Sequence, residues 1–396
     1  MKNISIVVGA GYDNTMDILN VTNSLCKTYQ RKEPILVVLY TGGYCYSSHF
    51  GVGTLNGNVS TYITKNFLVE PESFCNEYDW YTSSENNIQP NVFINKKARL
   101  CFHSDILVNS VLWDKNDDMY DGGIYETYNR TDYQITIDDF LSYNADKKVD
   151  TIKKIYNYHV KWLKNLGLYK DSVLSDIMQD SNTLMKNINK YIVKFYEMCS
   201  HCTFVDDDYD VLSQYDNIIF QSALGILESD GNYCFYPDIV CYNTGIKYAV
   251  DMLERYMFRV KSNNAIDNEI NDVQIYYVSR PYMTRQTKGR FDTENENLKN
   301  EYNIKYAHRV GYFDYINIVL EILYDISYIN MTNIPYTKNF VFTEMDATEN
   351  KILLPEQTII NNETNGAEIM KYIYRLDGES LIETKHKSLY DLREVE

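Results

Sequence analysis

The feature that most constrains this chain stands at its start. Ile4-Ser5-Ile6-Val7-Val8 is a short β-branched run ending in Gly9-Ala10-Gly11, the pattern of a strand buried on both faces that runs into a tight, phosphate-facing turn. Downstream, Met16, Ile18, Leu19, Thr22 and Leu25 recur at helical spacing, which predicts a helix over 15–29. Pro34 stops it before a second apolar run, Ile35-Leu36-Val37-Val38-Leu39. Strand, helix and strand in that order make a βαβ unit, so a buried parallel sheet is expected.

The rest of the chain repeats the theme after an interruption. Between Thr151 and Ser200, Ile152, Ile155, Tyr156, His159, Trp162 and Leu163, then Leu184, Ile188, Ile192 and Phe195, keep helical spacing, and a mainly helical insertion is expected over about 104–212. Short apolar runs then return at Asn217–Phe220, Val273–Val278 and Phe340–Phe342, with helical stretches such as 312–324 between them. No internal repeat or low-complexity linker divides the sequence. The expected fold is therefore α/β, a large, mostly parallel central sheet flanked by helices, in a single domain over 1–396.

Composition narrows the function. With 38 Lys+Arg against 55 Asp+Glu, the formal net charge is −17 and no basic run occurs, which argues against a phosphate backbone as partner, so no nucleic acid is expected. No stretch reaches the roughly 18 apolar residues of a membrane helix, and the N-terminus is too short and too polar-flanked for an export signal. No membrane partner is expected, and a cytoplasmic location or a viral particle is. The eight cysteines are scattered and read as thiols of a reducing compartment.

Several segments, taken in order, resemble the adenylosuccinate synthetase family. Val7-Val8-Gly9-Ala10-Gly11-Tyr12-Asp13 is similar to the family opening V-V-G-A-Q-W-G-D. Tyr40-Thr41-Gly42-Gly43, with His49 beyond it, is similar to Y-x-G-G-x-N-A-G-H, one residue longer. Phe220 to Glu228, continuing to Pro237, follows F-E-G-A-Q-G-x-L-L-D. The segment from Val278 to Glu294, including Arg280, Thr284, Arg285, Gly289 and Thr293, resembles V-x-R-x-Y-x-T-R-x-G-x-G-P-F-P-T-E. It is followed by His308-Arg309-Val310-Gly311-Tyr312-Phe313-Asp314, similar to R-R-C-G-W-F-D, and by Thr343-Glu344-Met345-Asp346, similar to T-K-L-D.

The resemblance implies a P-loop-NTPase-like fold and a GTP-dependent C–N ligase that moves a phosphoryl group onto the C6 oxygen of IMP before the amine of aspartate displaces it. GTP, IMP and aspartate would be the ligands and Mg2+ the cofactor. Carried over by position, Asp13 is the base and a magnesium ligand, and His49 is the acid. Gly9, Gly11, Gly42, Gly43 and Asp346 would meet the nucleotide, and Thr284, Arg285, Thr293, Lys305 and Arg309 the substrate. The family's homodimer would bring an arginine from the partner subunit, for which Arg130 is the candidate.

The departures fall on the groups that such chemistry needs. Phosphoryl transfer is mostly positioning and charge neutralisation, yet Thr15, Met16 and Asp17 stand where the family has loop glycines and a lysine. An acid there would repel a nucleotide. Leu224 replaces a glutamine and Glu344 a lysine, and the arginine-rich loop before Arg309 is shortened to about 303–309. These changes point to a catalytically degenerate member, a pseudoenzyme kept for a binding or structural role with a macromolecular or virion partner. The alternative is an active ligase that joins aspartate, or another amino acid, to IMP or a related purine nucleotide.

Plainer roles exist for several of these residues. Asp13 also suits a helix N-cap, and His49 a hydrogen-bonded loop histidine. Arg285 and Arg290 could grip a carboxylate or phosphate, or simply pair with the chain's many acids. Cys199-Ser200-His201-Cys202 lacks a second Cys/His pair at zinc spacing, and Asp206-Asp207-Asp208 with Asp210 lacks the spaced ligands of a calcium loop.

Overall fold

The structure, a computed structural model, describes residues 2–29, 34–42, 48–115, 134–170, 172–232, 240, 242–262, 270–285, 290–302, 304, 309–349, 351–355, 372–377 and 380–383. Of the residues singled out above, Gly43, Arg130, Gly289, Lys305 and His308 lie outside this set.

Fourteen strands occur among the described residues: β1 (Lys2–Gly9), β2 (Ile35–Leu39), β3 (Val59–Ile63), β4 (Leu68–Val69), β5 (Asn91–Asn95), β6 (Arg99–Leu100), β7 (Thr203–Val205), β8 (Asn217–Gly225), β9 (Ile270–Ser279), β10 (Met283–Arg285), β11 (Arg309–Gly311), β12 (Tyr336–Phe342), β13 (Tyr372–Asp377) and β14 (Ser380–Glu383). Ten of them form one sheet in the order β14-β13-β12-β9-β1-β8-β2-β3-β5-β7. Every neighbouring pair is parallel except the edge pair β13 and β14.

The opening strand is central. β1 lies between β8 and β9, with Ile4 opposite both Ile218 and Val273. That position explains its continuous apolar run, because both of its faces are covered. On one face Ile6, Val8, Phe220, Ile275 and Phe340 pack with helices Lys247–Ser262 and Tyr315–Asn330. On the other, Val7, Val37, Leu39, Ile219 and Val341 pack with helix Thr15–Tyr29.

The second core continues into a helical block made of His103–Lys115, Ile137–Ser142, Ala145–Asn165, Val173–Gln179 and Ser181–Ser200. Its helices start on side-chain caps. Thr136 and Asp139 form a reciprocal capping box, while Asn144, Ser172 and Asp180 each accept a backbone N–H of the following turn. Their apolar stripes meet at Ile152, Ile155, Ile188 and Phe195, the spacing expected from the sequence. No helix among the described residues is long and apolar enough to cross a membrane.

Two short pieces complete the frame around the carboxyl ends of the strands. β10 and β11 form an antiparallel ribbon that sets Arg285 opposite Arg309 and Thr284 opposite Val310. The turn after β1 lies directly on the end of β8. Gly225 donates its N–H to the Tyr12 carbonyl at 2.6 Å, and a Cβ on Gly225 would sit 1.8 Å from the Gly11 oxygen.

Candidate functional site

Because β2 and β8 continue the sheet on one side of β1 while β9 and β12 continue it on the other, β1 marks a topological switch. The crevice outside its carboxyl end is where ligands bind in open parallel sheets. The turn 10–14, the segment that leaves β9 and the segment that leaves β12 all meet there. Their side chains converge on Asp17.

Asp17 sits in the first turn of helix Thr15–Tyr29 and is 1% exposed. Its carboxylate accepts Thr343 Oγ1 at 2.6 Å and Asn14 Nδ2 at 3.3 Å, and Arg280 Nε lies 3.1 Å from Oδ2. The acid expected to repel a nucleotide is thus already neutralised by Arg280, from 263 positions further along the chain. Arg280 also reaches Thr284 Oγ1 at 3.0 Å and lies 3.5 Å from Glu344, whose other oxygen accepts the Tyr282 hydroxyl. Burial disfavours the charged guanidinium, but Asp17 and Glu344 outweigh it and raise its pKa. A carboxylate at a helix N-terminus, bonded by a guanidinium and a hydroxyl, fills the role that a bound anion takes at such a turn.

Asp13 is half-buried beside this cluster, and its carbonyl accepts the Thr284 hydroxyl at 3.5 Å. The residue at the helix start is Asn14, whose Oδ1 folds back to accept the Gly11 N–H at 2.6 Å. Gly9 and Gly11 are both packed tightly: a Cβ on Gly9 would meet the Leu224 carbonyl at 2.6 Å, and one on Gly11 the Asn14 Oδ1 at 2.8 Å. Asp346 is exposed on the short helix Met345–Thr348, just after Glu344, which adopts a left-handed φ of 50°.

The arginines of the late block form a second group. Arg285 is wholly buried, with its guanidinium 4.9 Å from the centre of the Tyr12 ring, bonded to the Arg290 carbonyl and 4.0 Å from Glu228. Arg309 grips Glu294 through two bonds of 2.8 and 2.6 Å, and Arg290 grips Asp292 through two of 2.7 and 2.6 Å. Each of these guanidiniums therefore has an acid beside it. The Thr293 hydroxyl, between these pairs in sequence, is buried and makes no hydrogen bond among the described residues.

His49 and Gly42 belong to the segment after β2. Gly42 has a left-handed φ of 99°, which favours glycine, and its carbonyl accepts the Leu68 N–H. His49 is fully buried between the Phe67 and Phe74 rings. Its Nε2 accepts the Glu70 N–H at 3.1 Å, so the proton sits on Nδ1, which donates to Glu77 at 2.8 Å. Both ring nitrogens are engaged, and a proton transfer from His49 would have to break one of these bonds.

The plainer readings also have outcomes. Asp206 pairs with Lys96, Asp207 with Arg259, and Asp208 with Arg255 and Tyr62. Cys26, Cys75, Cys199 and Cys202 are free thiols. Burial pushes the Cys26 and Cys75 thiols up to about 12 and that of Cys199 up to about 11, far from a reactive thiolate.

The structure thus gathers Asp13, Gly9, Gly11, Thr284, Arg285, Thr293, Arg309 and Asp346 around the carboxyl ends of β1, β9 and β12, whereas His49 is held by its own neighbours. The sequence reading missed the partners: Arg280 and Thr343 for Asp17, and Glu77 for His49. Arg280 stood in the quoted V-x-R motif, but nothing in the sequence assigned its counterion.

Sheet and crevice together define an open, mostly parallel α/β protein with its candidate site at the switch point beside β1. The family profile described as adenylosuccinate synthetase matches residues 36–340, and the chain belongs to the adenylosuccinate synthetase family. Solved structures agree on the fold. The fully ligated adenylosuccinate synthetase of Plasmodium falciparum superposes with a TM-score of 0.60 at 12% identity, over 87% of this chain and 77% of that one. The succinoaminodeoxyadenylate synthetase PurZ of cyanophage S-2L, bound to dGMP and to dATP as an energy donor, superposes with a TM-score of 0.53 at 9% identity, over 99% of both chains. No curated protein matches the sequence.

The family generally uses magnesium. Among the described residues, no group of three or more His, Cys, Asp or Glu side chains is placed to hold a metal ion. Asp13 offers one carboxylate at the loop, and a hard cation needs six or so oxygens. The side chains described here do not make a magnesium site by themselves.

Proposed function

We propose that this chain is a member of the adenylosuccinate synthetase family whose phosphoryl-transfer chemistry has lapsed and whose framework serves a binding or structural role. A viral particle or a regulatory assembly is the setting that suits it. The observation that carries this reading is Asp17. The turn that should receive a phosphate holds an internal carboxylate instead, closed in by Arg280, Thr343 and Asn14. A triphosphate would have to displace that carboxylate from its guanidinium while facing Glu344, Asp13 and Asp346 nearby.

One observation favours a surviving ligase. The buried, unbonded Thr293 hydroxyl lies beside Glu294, the acid that Arg309 grips, as a hydroxyl awaiting a substrate oxygen would. In that case Asp13 is the base, Arg285 and Arg309 exchange their acids for substrate, Asp346 reads the nucleotide base, and magnesium enters with the nucleotide. Substrates would be IMP or a related purine nucleotide, aspartate, and GTP or another triphosphate, with Arg130 contributed across a homodimer.

Thermal melting with GTP, ATP, IMP and dGMP at millimolar levels, each with magnesium, separates the two. A ligand at 100 times its Kd stabilises by about 2.7 kcal/mol, a shift of several degrees. No shift, and no new ultraviolet-absorbing product from IMP or dGMP with aspartate, is the expected result. Sustained product formation that disappears in Asp13→Asn overturns the proposal.

A further inference from the structure

A second site lies away from the crevice, on the outer face of helix Pro71–Thr82. Ser48, Asn76, Glu77, Trp80 and Tyr81 line a pocket of about 380 Å³. Among the described residues that line it, Glu77 is the only ionisable group apart from the Tyr81 phenol. The histidine bonded to Glu77 is neutral: Nε2 of His49 takes the Glu70 N–H as an acceptor, which leaves one ring proton, on Nδ1. Glu77 itself is ionised. Burial works against its charge, but the hydrogen bond from His49 Nδ1 and the electrostatic attraction of the His49 ring, then the Ser48 hydroxyl and the His49 backbone N–H, prevail and hold its pKa below the usual carboxylate range. His49 and Ser48 thus fix the carboxylate in place, and no Lys or Arg among the described residues pairs with it. Its side chain is still 28% exposed.

The walls are aromatic. Trp80 is 52% exposed, and its ring meets that of Tyr81 edge-on at 5.0 Å. Tyr81 is braced from behind by Phe50, with ring centres 5.0 Å apart, and feels the Glu77 charge, which adds to burial in raising its phenol pKa to about 12. A fixed anion flanked by two π faces attracts a compact organic cation and repels anions, including nucleotides. A divalent metal ion would find a single carboxylate and no second acid among the described lining residues.

We propose that Glu77, Trp80 and Tyr81 form a receptor for an organic ammonium group, which places its charge against the carboxylate and its carbons against the rings. The group can come from a free diamine or from a lysine side chain of another protein. This site does not depend on whether the crevice binds nucleotide.

The test is calorimetric titration of the full chain with putrescine and, separately, with Nα-acetyl-lysine amide. Binding is expected with both, weakening as salt rises. Glu77→Gln, which keeps an acceptor for His49 Nδ1, should weaken it roughly tenfold or more, and Trp80→Ala severalfold. Asp17→Asn, in the crevice, should leave it unchanged. Binding of putrescine alone identifies a free amine as the ligand, and comparable binding of the lysine amide identifies a protein side chain. If neither binds above an equal concentration of NaCl, or if the Trp80→Ala protein binds as well as the parent, the proposal fails. Because Trp80 is largely exposed, that variant reports even if Glu77→Gln does not fold.

Discussion

Asp325 should make this protein less stable as pH rises from about 4 toward 7, and Asp325→Asn should remove much of that loss. The residue lies in helix Tyr315–Asn330, wholly enclosed. Its two oxygens accept the Ile246 N–H at 2.9 and 3.2 Å, and one also accepts the Tyr277 hydroxyl at 2.9 Å. Gly245 is pressed so close that a Cβ there would lie 2.0 Å from Oδ1. Burial dominates and pushes the carboxyl from 3.8 up to about 7. The folded protein therefore keeps a proton that the unfolded chain has released, so this group favours folding fully below about pH 4 and loses that contribution as pH climbs to 7. Relative to a group with an unshifted pKa, the charge costs roughly 2 kcal/mol at pH 5 and about 4 kcal/mol at pH 8. Asparagine keeps an acceptor for Ile246 and has no charge to bury. Urea unfolding of both proteins at pH 5 and pH 8 should thus show the variant's relative stability rising by roughly 2–3 kcal/mol between the two. Glu321, also pushed up to about 7 by burial, is common to both proteins and largely drops out of the difference. If the asparagine protein is equally destabilised at both pH values, the carboxylate is the form that the Ile246 and Tyr277 bonds select, and the reasoning is refuted.

Arg280→Leu strands the buried Asp17 carboxylate and should cost roughly 3–5 kcal/mol, most of it recovered by adding Asp17→Asn; a double-mutant cycle by denaturant unfolding measures this. Gly225→Ala places a methyl 1.8 Å from the Gly11 oxygen, so it should either fail to yield soluble folded protein or lower the melting temperature by many degrees in a thermal scan. Thr136→Ala opens the capping box and should cost about 1 kcal/mol by denaturant unfolding, leaving the sheet's circular-dichroism signal in place.

The sheet was legible wherever a strand is buried on both faces. β1, β2, the first half of β8 and the centre of β9 are dominated by apolar residues, interrupted only by Ser5 in β1 and Gln274 in β9, and each reads as a strand. β3 and β5 were not, because Ser60, Thr61, Asn91 and Asn95 interrupt them. Those polar groups are satisfied sideways within the sheet: Asn91 donates to Ser60 and Asn95 to the Tyr62 hydroxyl. The candidate site was legible as glycines and arginines in a known order. Its charge balance was not, because Asp17 meets Arg280, Arg309 meets Glu294, and His49 meets Glu77 only after folding. A lone acid in a phosphate loop looks like repulsion until its counterion is located. The capping position also shifted by one residue, from Asp13 to Asn14, since the helix begins at Thr15.

The place of β1 has a consequence for biogenesis. β1 pairs with segments made much later, Asn3 with Asn217 on one side and with Asp272 on the other. Its apolar residues Ile4, Ile6, Val7 and Val8 must wait for the roughly two hundred residues up to β8 to be translated before either neighbour exists. Such long-range parallel pairing closes slowly and leaves a sticky strand uncovered meanwhile. Yield of native material should accordingly respond strongly to growth temperature and to chaperone supply.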